Sequence, residues 1–231
     1  MKINIYTLLL VIVSSGLSAQ INMVSKKIFL DSLNRETTPT NYSYARVITN
    51  YSQKSARYVI TDFYKNGRKK MTGATLDRDI LKKDGEFICY YKNGAKESVI
   101  DYSDDHKSGK EITWYENQSK KCEKQNSWDP KTKKSQSLVL NCWNEDKTQT
   151  VTDGNGEYEE SDQFITQKGE IKNGLKQGVW LGNDKIRKTT FSDNYDKGVL
   201  VSGTSVDENN IKFSYSSLGE KQSGKKTPKS K

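Results

Sequence analysis

The feature that most limits the fold is a short phrase written three times. Residues 63–70 read FYKNGRKK, residues 90–97 read YYKNGAKE and residues 114–121 read WYENQSKK. Each copy has two aromatics, a spacer, and an Asn followed by Gly or Gln. Asn-Gly between short strand-like runs is a strong hairpin signal, because glycine takes positive φ without steric cost. Gly85 precedes Tyr90, Tyr91, Asn93 and Gly94 at the same offsets at which Gly109 precedes Trp114, Tyr115, Asn117 and Gln118. The first copy has Phe63, Tyr64, Asn66 and Gly67, with Tyr58 in place of the leading glycine. The second tyrosines lie 27 and 24 residues apart, a period that builds repeat arrays. A catalytic motif is needed once, whereas a structural unit is often repeated.

Two-residue turns at Asn66-Gly67 and Asn93-Gly94 would set Tyr64 opposite Lys69 and Tyr91 opposite Lys96. The third copy sets Tyr115 opposite Lys120, in a turn that Gln118 is expected to lengthen or distort. Strand alternation then puts Phe87, Cys89, Tyr91, Lys96, Ser98 and Ile100 on one face, and Ile88, Tyr90, Glu97 and Val99 on the other. Residues 169–180, GEIKNGLKQGVW, supply a further hairpin turn at Asn173-Gly174. The chain from Phe191 to Tyr215 reads as strands broken at YDKG and DENN. Residues 26–36, KKIFLDSLNRE, fit a short helix or a strand, and residues 42–63 alternate loosely. No long stretch has helical period. The expectation is a mainly β protein, an elongated antiparallel hairpin array with few or no helices.

Composition agrees with a folded but thin structure. Hydrophobic residues make up 32% of the 231-residue chain, yet it holds 13 Tyr, 6 Phe and 4 Trp. Disordered chains are poor in aromatics. The first residues, MKINIYTLLLVIVSSGLSAQ, have a lysine, an apolar run and small residues up to Ala19, the pattern of a cleaved signal peptide. The run is too short for a membrane anchor of about 20 residues. The expected divisions are a signal peptide at 1–19, a lead-in at 20–57, the repeat domain at 58–218 and a disordered lysine-rich tail at 219–231. The expected location is the periplasm, outer membrane or cell surface of a bacterium. In such an oxidising compartment Cys122 and Cys142 are candidates for a bridge, with Cys89 left over. The odd count and strand-embedded positions favour three small apolar core residues instead.

The segments GEFICYYKNGAKE, GEIKNGLKQGVW and GKEITWYENQSKK resemble variants of the MORN repeat, a glycine–aromatic hairpin unit of many exported bacterial proteins. The resemblance covers roughly residues 58–180. Some members of that group are labelled antitoxin components. The order of segments is also similar to the N-terminal region of certain Bacteroidetes proteins of the TonB energy-transducer type, without their TonB C-terminal domain. The resemblance implies an envelope setting and does not transfer energy coupling.

No enzyme motif stands out. A metal site needs three or four ligands, and the one histidine, His106 in SDDHKSG, has no readable partner set. Glu157, Glu159, Glu160 and Asp162 are candidates for a carboxylate pair, but they read better as a strand's polar face. No P-loop or dinucleotide fingerprint is present, so no cofactor is expected. The chain therefore reads as a non-enzymatic interaction or scaffold module of the envelope. The alternative is a TonB-related transport component or antitoxin-like protein that binds one protein partner. The candidate surface is the ladder Tyr64/Lys69, Tyr91/Lys96, Tyr115/Lys120, facing an envelope protein or an anionic glycan or lipid surface, although such pairs read better as stabilising the sheet and covering its face with lysine stems. The net charge of +9 raises nucleic acid as a partner, but export and the excess of lysine over arginine argue against it.

Overall fold

The computed structural model describes residues 25–52 and 54–216, so the expected signal peptide and tail lie outside the described residues. Among the described residues every regular element is a strand. In chain order they are β1 (Lys26–Leu30), β2 (Tyr44–Ile48), β3 (Tyr58–Tyr64), β4 (Lys69–Thr75), β5 (Gly85–Tyr90), β6 (Lys96–Ser103), β7 (His106–Trp114) and β8 (Lys120–Asp129). They continue as β9 (Lys134–Trp143), β10 (Gln149–Thr152), β11 (Asn155–Ser161), β12 (Ile165–Lys172), β13 (Leu175–Asp184), β14 (Thr189–Asp196), β15 (Val199–Asp207) and β16 (Lys212–Ser216). All 16 form one open antiparallel sheet whose strand order is the chain order. The ambiguous segment at 26–36 starts as strand β1, in the same sheet as the repeats.

The repeated turns are one residue longer than Asn-Gly suggests. Tyr64 donates its amide to the Arg68 carbonyl, and Gly67 donates to the Tyr64 carbonyl, both at 2.9 Å. The same two bonds recur from Tyr91 and Gly94, from Tyr115 and Gln118, and from Asn144 and Lys147. Three residues therefore make each turn, and only the third has positive φ: Gly67 at 81°, Gly94 at 94°, Gln118 at 67° and Lys147 at 71°. Asn66, Asn93, Asn117 and Asp146 each accept a hydrogen bond at the side-chain oxygen from the amide two residues on, at 2.8–3.1 Å. Gln118 therefore preserves the turn. A fourth copy, WNEDKTQ at 143–149, carries the same turn without the Asn-Gly signature. Asn173-Gly174 is the two-residue turn expected of it, with both residues at positive φ, 51° and 81°.

Each three-residue turn is followed by a bulge. Phe63 faces Lys69 but Asp62 faces Met71, which leaves Lys70 extra. Glu97, Lys121 and Thr150 are the equivalent residues of the other copies. The extra residue restores the register farther along, so Cys89 faces Ser98 and Phe87 faces Ile100. Near the turn the expected pairing fails. Lys69, Lys96 and Lys120 stand opposite Phe63, Tyr90 and Trp114, the first aromatic of each pair. Lys96 and Glu97 have exchanged faces because a bulge re-aims the side chains beside it.

The sheet turns a corner at β10, which has only 4 residues between the 10 of β9 and the 7 of β11. Its Asp153-Gly154 turn ends against the middle of β9, where Gly154 donates to the Leu140 carbonyl at 2.7 Å. Gly174 then donates to the Gly154 carbonyl at 2.8 Å, and Val139 to the Gly174 carbonyl at 2.9 Å. Gly154 has φ of 77°, and a Cβ there would lie 2.7 Å from the Gly174 nitrogen, so no larger residue fits. The corner brings β11–β13 over β8 and β9. Cys122, Val139, Cys142, Val151, Tyr158, Ile171 and Trp180 are buried there together.

A second core sits under the first hairpins: Ile48, Tyr58, Ile60, Met71 and Phe87, with Leu81 from the 76–84 loop packed against it. Rings also cover strand glycines. A Cβ on Gly73 would lie 2.7 Å from the Phe87 ring, and Trp180 covers Gly169 in the same way. Arg46 on β2 grips Asp62 on β3 with two bonds, Nε to Oδ1 at 2.7 Å and Nη2 to Oδ2 at 2.8 Å. Asp62 is 1% exposed, so this bidentate pair fastens the lead-in strands to the array.

Gln118 holds a conformation that glycine adopts without strain. Gln118→Gly is expected to stabilise the fold by roughly 0.5–1 kcal/mol, read as a higher urea midpoint at unchanged slope. A lower midpoint would show that the third turn differs from the other three.

Candidate functional site

The second tyrosine of each repeat points inward, along the row of Cys89, Ser98, Thr113 and Cys122. Its hydroxyl reaches the next hairpin. Tyr64 donates to the Tyr90 carbonyl at 2.7 Å, Tyr91 to the Trp114 carbonyl at 2.7 Å, and Tyr115 to the Trp143 carbonyl at 3.0 Å. The turns are tied as well. Asn93 Nδ2 donates to the Glu116 carbonyl at 3.3 Å, and Ser119 Oγ to the Glu145 carbonyl at 3.2 Å. Burial and neighbouring Glu97 push the Tyr64 phenol up to about 12. Burial also raises Tyr91 and Tyr115, so all three keep the proton they donate.

The expected ladder is thus divided between two faces. Tyr64, Tyr91 and Tyr115 lie inside and staple the array. Lys69, Lys96 and Lys120 lie outside, exposed, against Phe63, Tyr90 and Trp114. Lys120 forms an ion pair with Glu123 at 2.7 Å. The charges beside the tyrosines are the bulge residues. Lys70 Nζ sits 4.0 Å above the Tyr44 ring, and Lys121 Nζ sits 5.4 Å above the Tyr115 ring. Glu97 feels both ammoniums. Burial raises its carboxyl above the usual range, with Lys70 and Lys121 opposing.

Inside the corner the sheet forms two adjoining open cavities. One, of about 560 Å³, is lined by Tyr91, Glu97, Lys107, Glu111, Trp114, Lys121, Lys124, Tyr158, Glu160 and Gln167 among others. The other, of about 690 Å³, shares Lys124, Tyr158 and Glu160 with it and extends along the first half of β9. Both fall within the usual size of ligand sites. Glu111 is the most buried charge between them, 6% exposed. Lys107 Nζ donates to it at 2.9 Å and Asn126 Nδ2 at 3.0 Å. Burial pushes the Glu111 carboxyl up, but these donors outweigh it and hold the group below its usual 4.5. Glu160 is held by Lys176 at 2.8 Å and Gln167 at 2.6 Å. Lys124 lies 5.1 Å over the Tyr158 ring.

Sequence reading missed this site because its residues come from strands far apart in the chain. Glu111 carries a faint signal. It occupies an inward position in the alternation Gly109, Glu111, Thr113, where a charge is unexpected. Lys124 and Tyr158 meet only because the sheet turns at β10. Of the carboxylates singled out at 157–162, Glu160 joins the cavities, while Glu157 pairs outside with Lys168 at 2.9 Å. Cys122 and Cys142 face each other directly on β8 and β9, Cα atoms 4.1 Å apart, and are joined as a disulfide, with Cys89 free. Register therefore makes the bridge that their odd count disfavoured. His106 stacks on Trp128 at 3.5 Å, with 8° between the rings. Among the described residues no group of His, Cys, Asp and Glu is placed to hold a metal ion, and no helix is long and apolar enough to cross a membrane.

Tyr91→Phe is expected to cost about 1–2 kcal/mol, because the Trp114 carbonyl loses its donor. Tyr90 makes no side-chain hydrogen bond among the described residues, so Tyr90→Phe should cost under about 0.5 kcal/mol. Urea melts of both variants test the difference, and equal costs would remove the staple. The depressed Glu111 carboxyl adds stability above the unfolded-state value, and that stability is lost as pH falls through the folded-state value. Glu111→Gln should therefore flatten the fall in melting temperature below about pH 4.5. An unchanged profile would place the acid sensitivity elsewhere.

A scan against protein-family models finds no match, and a search of curated proteins finds none, so the residues themselves carry the functional reading.

Proposed function

We propose that this chain is a non-enzymatic, exported β-repeat module that binds or scaffolds a component of the cell envelope through the concave face. The observation that carries the reading is the pair of adjoining cavities inside the corner, which share Lys124, Tyr158 and Glu160. Two of their carboxylates, Glu111 and Glu160, are fixed by neighbours rather than poised for proton transfer. Glu111 is clamped by Lys107 and Asn126, and Glu160 by Lys176 and Gln167. General acid–base chemistry favours a group whose affinity lies near the working pH, and Glu111 is shifted the other way. A preformed concavity with rings and paired charges suits recognition, since little order is lost on binding.

The MORN-like hairpins and the leader-like first residues support an envelope setting. The alternative, a TonB-related or antitoxin-like protein with one protein partner, draws support from the outer face of β13. Val179 and Leu181 are 59% and 62% exposed there, an apolar pair that a protein would cover.

A photo-crosslinking residue placed at Lys121 or Gln167, in the cell that exports the protein, is expected to capture an envelope component. The same residue at Val179 should not. Capture from Val179 alone would reject the concave face and favour the alternative.

A further inference from the structure

We propose that the larger of the two adjoining cavities binds an acidic saccharide, a sugar chain that bears carboxylate or sulfate groups. The inference rests on the reading of the concave face as an interaction surface. The cavity lies between the first half of β9 and the Lys197-Gly198 turn, which is held in place by the Gly198 amide on the Lys176 carbonyl at 2.8 Å.

The charge balance selects an anion. Lys124, Lys134, Lys176 and Lys197 line this space against two acids, Asp129 and Glu160. Both acids are already engaged. Asp129 accepts from the Lys131 amide at 2.9 Å and the Thr132 hydroxyl at 2.7 Å. Glu160 accepts from Lys176 and Gln167. Among the described residues Lys134 and Lys197 have no ion-pair partner, so two exposed ammoniums face the cavity unneutralised, while the Lys124 ammonium is supported by Tyr158, Glu111 and Glu160. Ammoniums attract anions as point charges without demanding the planar geometry that arginine does, and no arginine lines this space.

The rest of the wall selects a polyhydroxylated ligand. Ser127, Ser135, Gln136 and Ser137 offer hydroxyl and amide groups that both donate and accept. Trp128 supplies a flat ring whose other side is stacked on His106 at 3.5 Å. An acidic peptide carries few hydroxyls for these groups to pair with.

The full chain is titrated by calorimetry with polygalacturonate and dextran sulfate, beside uncharged dextran, polyglutamate and phosphatidylglycerol vesicles. Saturable binding to either acidic polysaccharide is expected, with none to dextran and weaker binding to polyglutamate and to vesicles. Lys134→Gln and Lys197→Asn should each weaken it about tenfold, the loss of one charged contact. Asn suits the left-handed first position of that turn better than lysine does, so misfolding would not explain the second loss. Lys69→Gln and Lys96→Gln, on the outer face, should leave binding unchanged. Equal binding to polyglutamate or to vesicles, equal loss from the outer-face variants, or no binding to either acidic polysaccharide would overturn the proposal. Concave-face crosslinks without polysaccharide binding would overturn it while leaving the interaction reading standing.

Discussion

A tyrosine hydroxyl from one hairpin meets a backbone carbonyl of the next, and the array depends on that bond. Before the corner the open sheet has no second layer to pack against, so each of the first hairpins must be held by its neighbours. Ladder hydrogen bonds supply most of that hold but do not specify which side chains face inward. The bonds from Tyr64, Tyr91 and Tyr115 at 2.7–3.0 Å fix both spacing and facing, because the ring must lie on the inner face to reach. The bulge residues follow from this. Lys70, Glu97 and Lys121 occupy the extra position that lets the turn and the inward ring coexist.

The same dependence on neighbours explains the corner. Gly154 and Gly174 lack side chains, so the β10–β11 and β12–β13 turns can stack directly on β9 through backbone bonds. A flat sheet would leave Tyr158 and Trp180 in water. Folding β11–β13 over β8 and β9 buries both, and it also draws Glu111, Lys124 and Glu160 into one neighbourhood. Concavity and charge thus arise from one packing event.

Much of the fold was legible in the chain because its signals are local. Strands alternate, turns need particular residues, and a recurring phrase marks a recurring hairpin. Asn66-Gly67 and Asn93-Gly94 located two turns correctly but not their length, since Asn-Gly serves both a two-residue turn and the end of a three-residue one. That single residue moved Lys69, Lys96 and Lys120 to the outer face. The fourth copy was hidden because Asp146 and Lys147 perform there the tasks of Asn and Gly. The cavities were illegible for a different reason. Lys124 and Tyr158 are 34 residues apart and converge only through the shortness of β10. The disulfide likewise depends on register between β8 and β9, which no spacing rule supplies.

The three-residue turns all lie along one edge of the sheet, where Arg68 and Asn93 link each to the next. Along the opposite edge the connections have no common pattern. There the chain crosses by the 76–84 loop, by the Asp104-Asp105 turn and by the 130–133 loop. Tyr64, Tyr91, Tyr115 and Asn144 are consequently spaced 27, 24 and 29 residues apart with no change in local geometry. The molecule thus behaves like a comb with a fixed spine and teeth of adjustable length. Insertions and deletions can accumulate at the tooth tips without shifting the register of the spine, which gives such a chain a tolerant margin on which new surfaces can be tried.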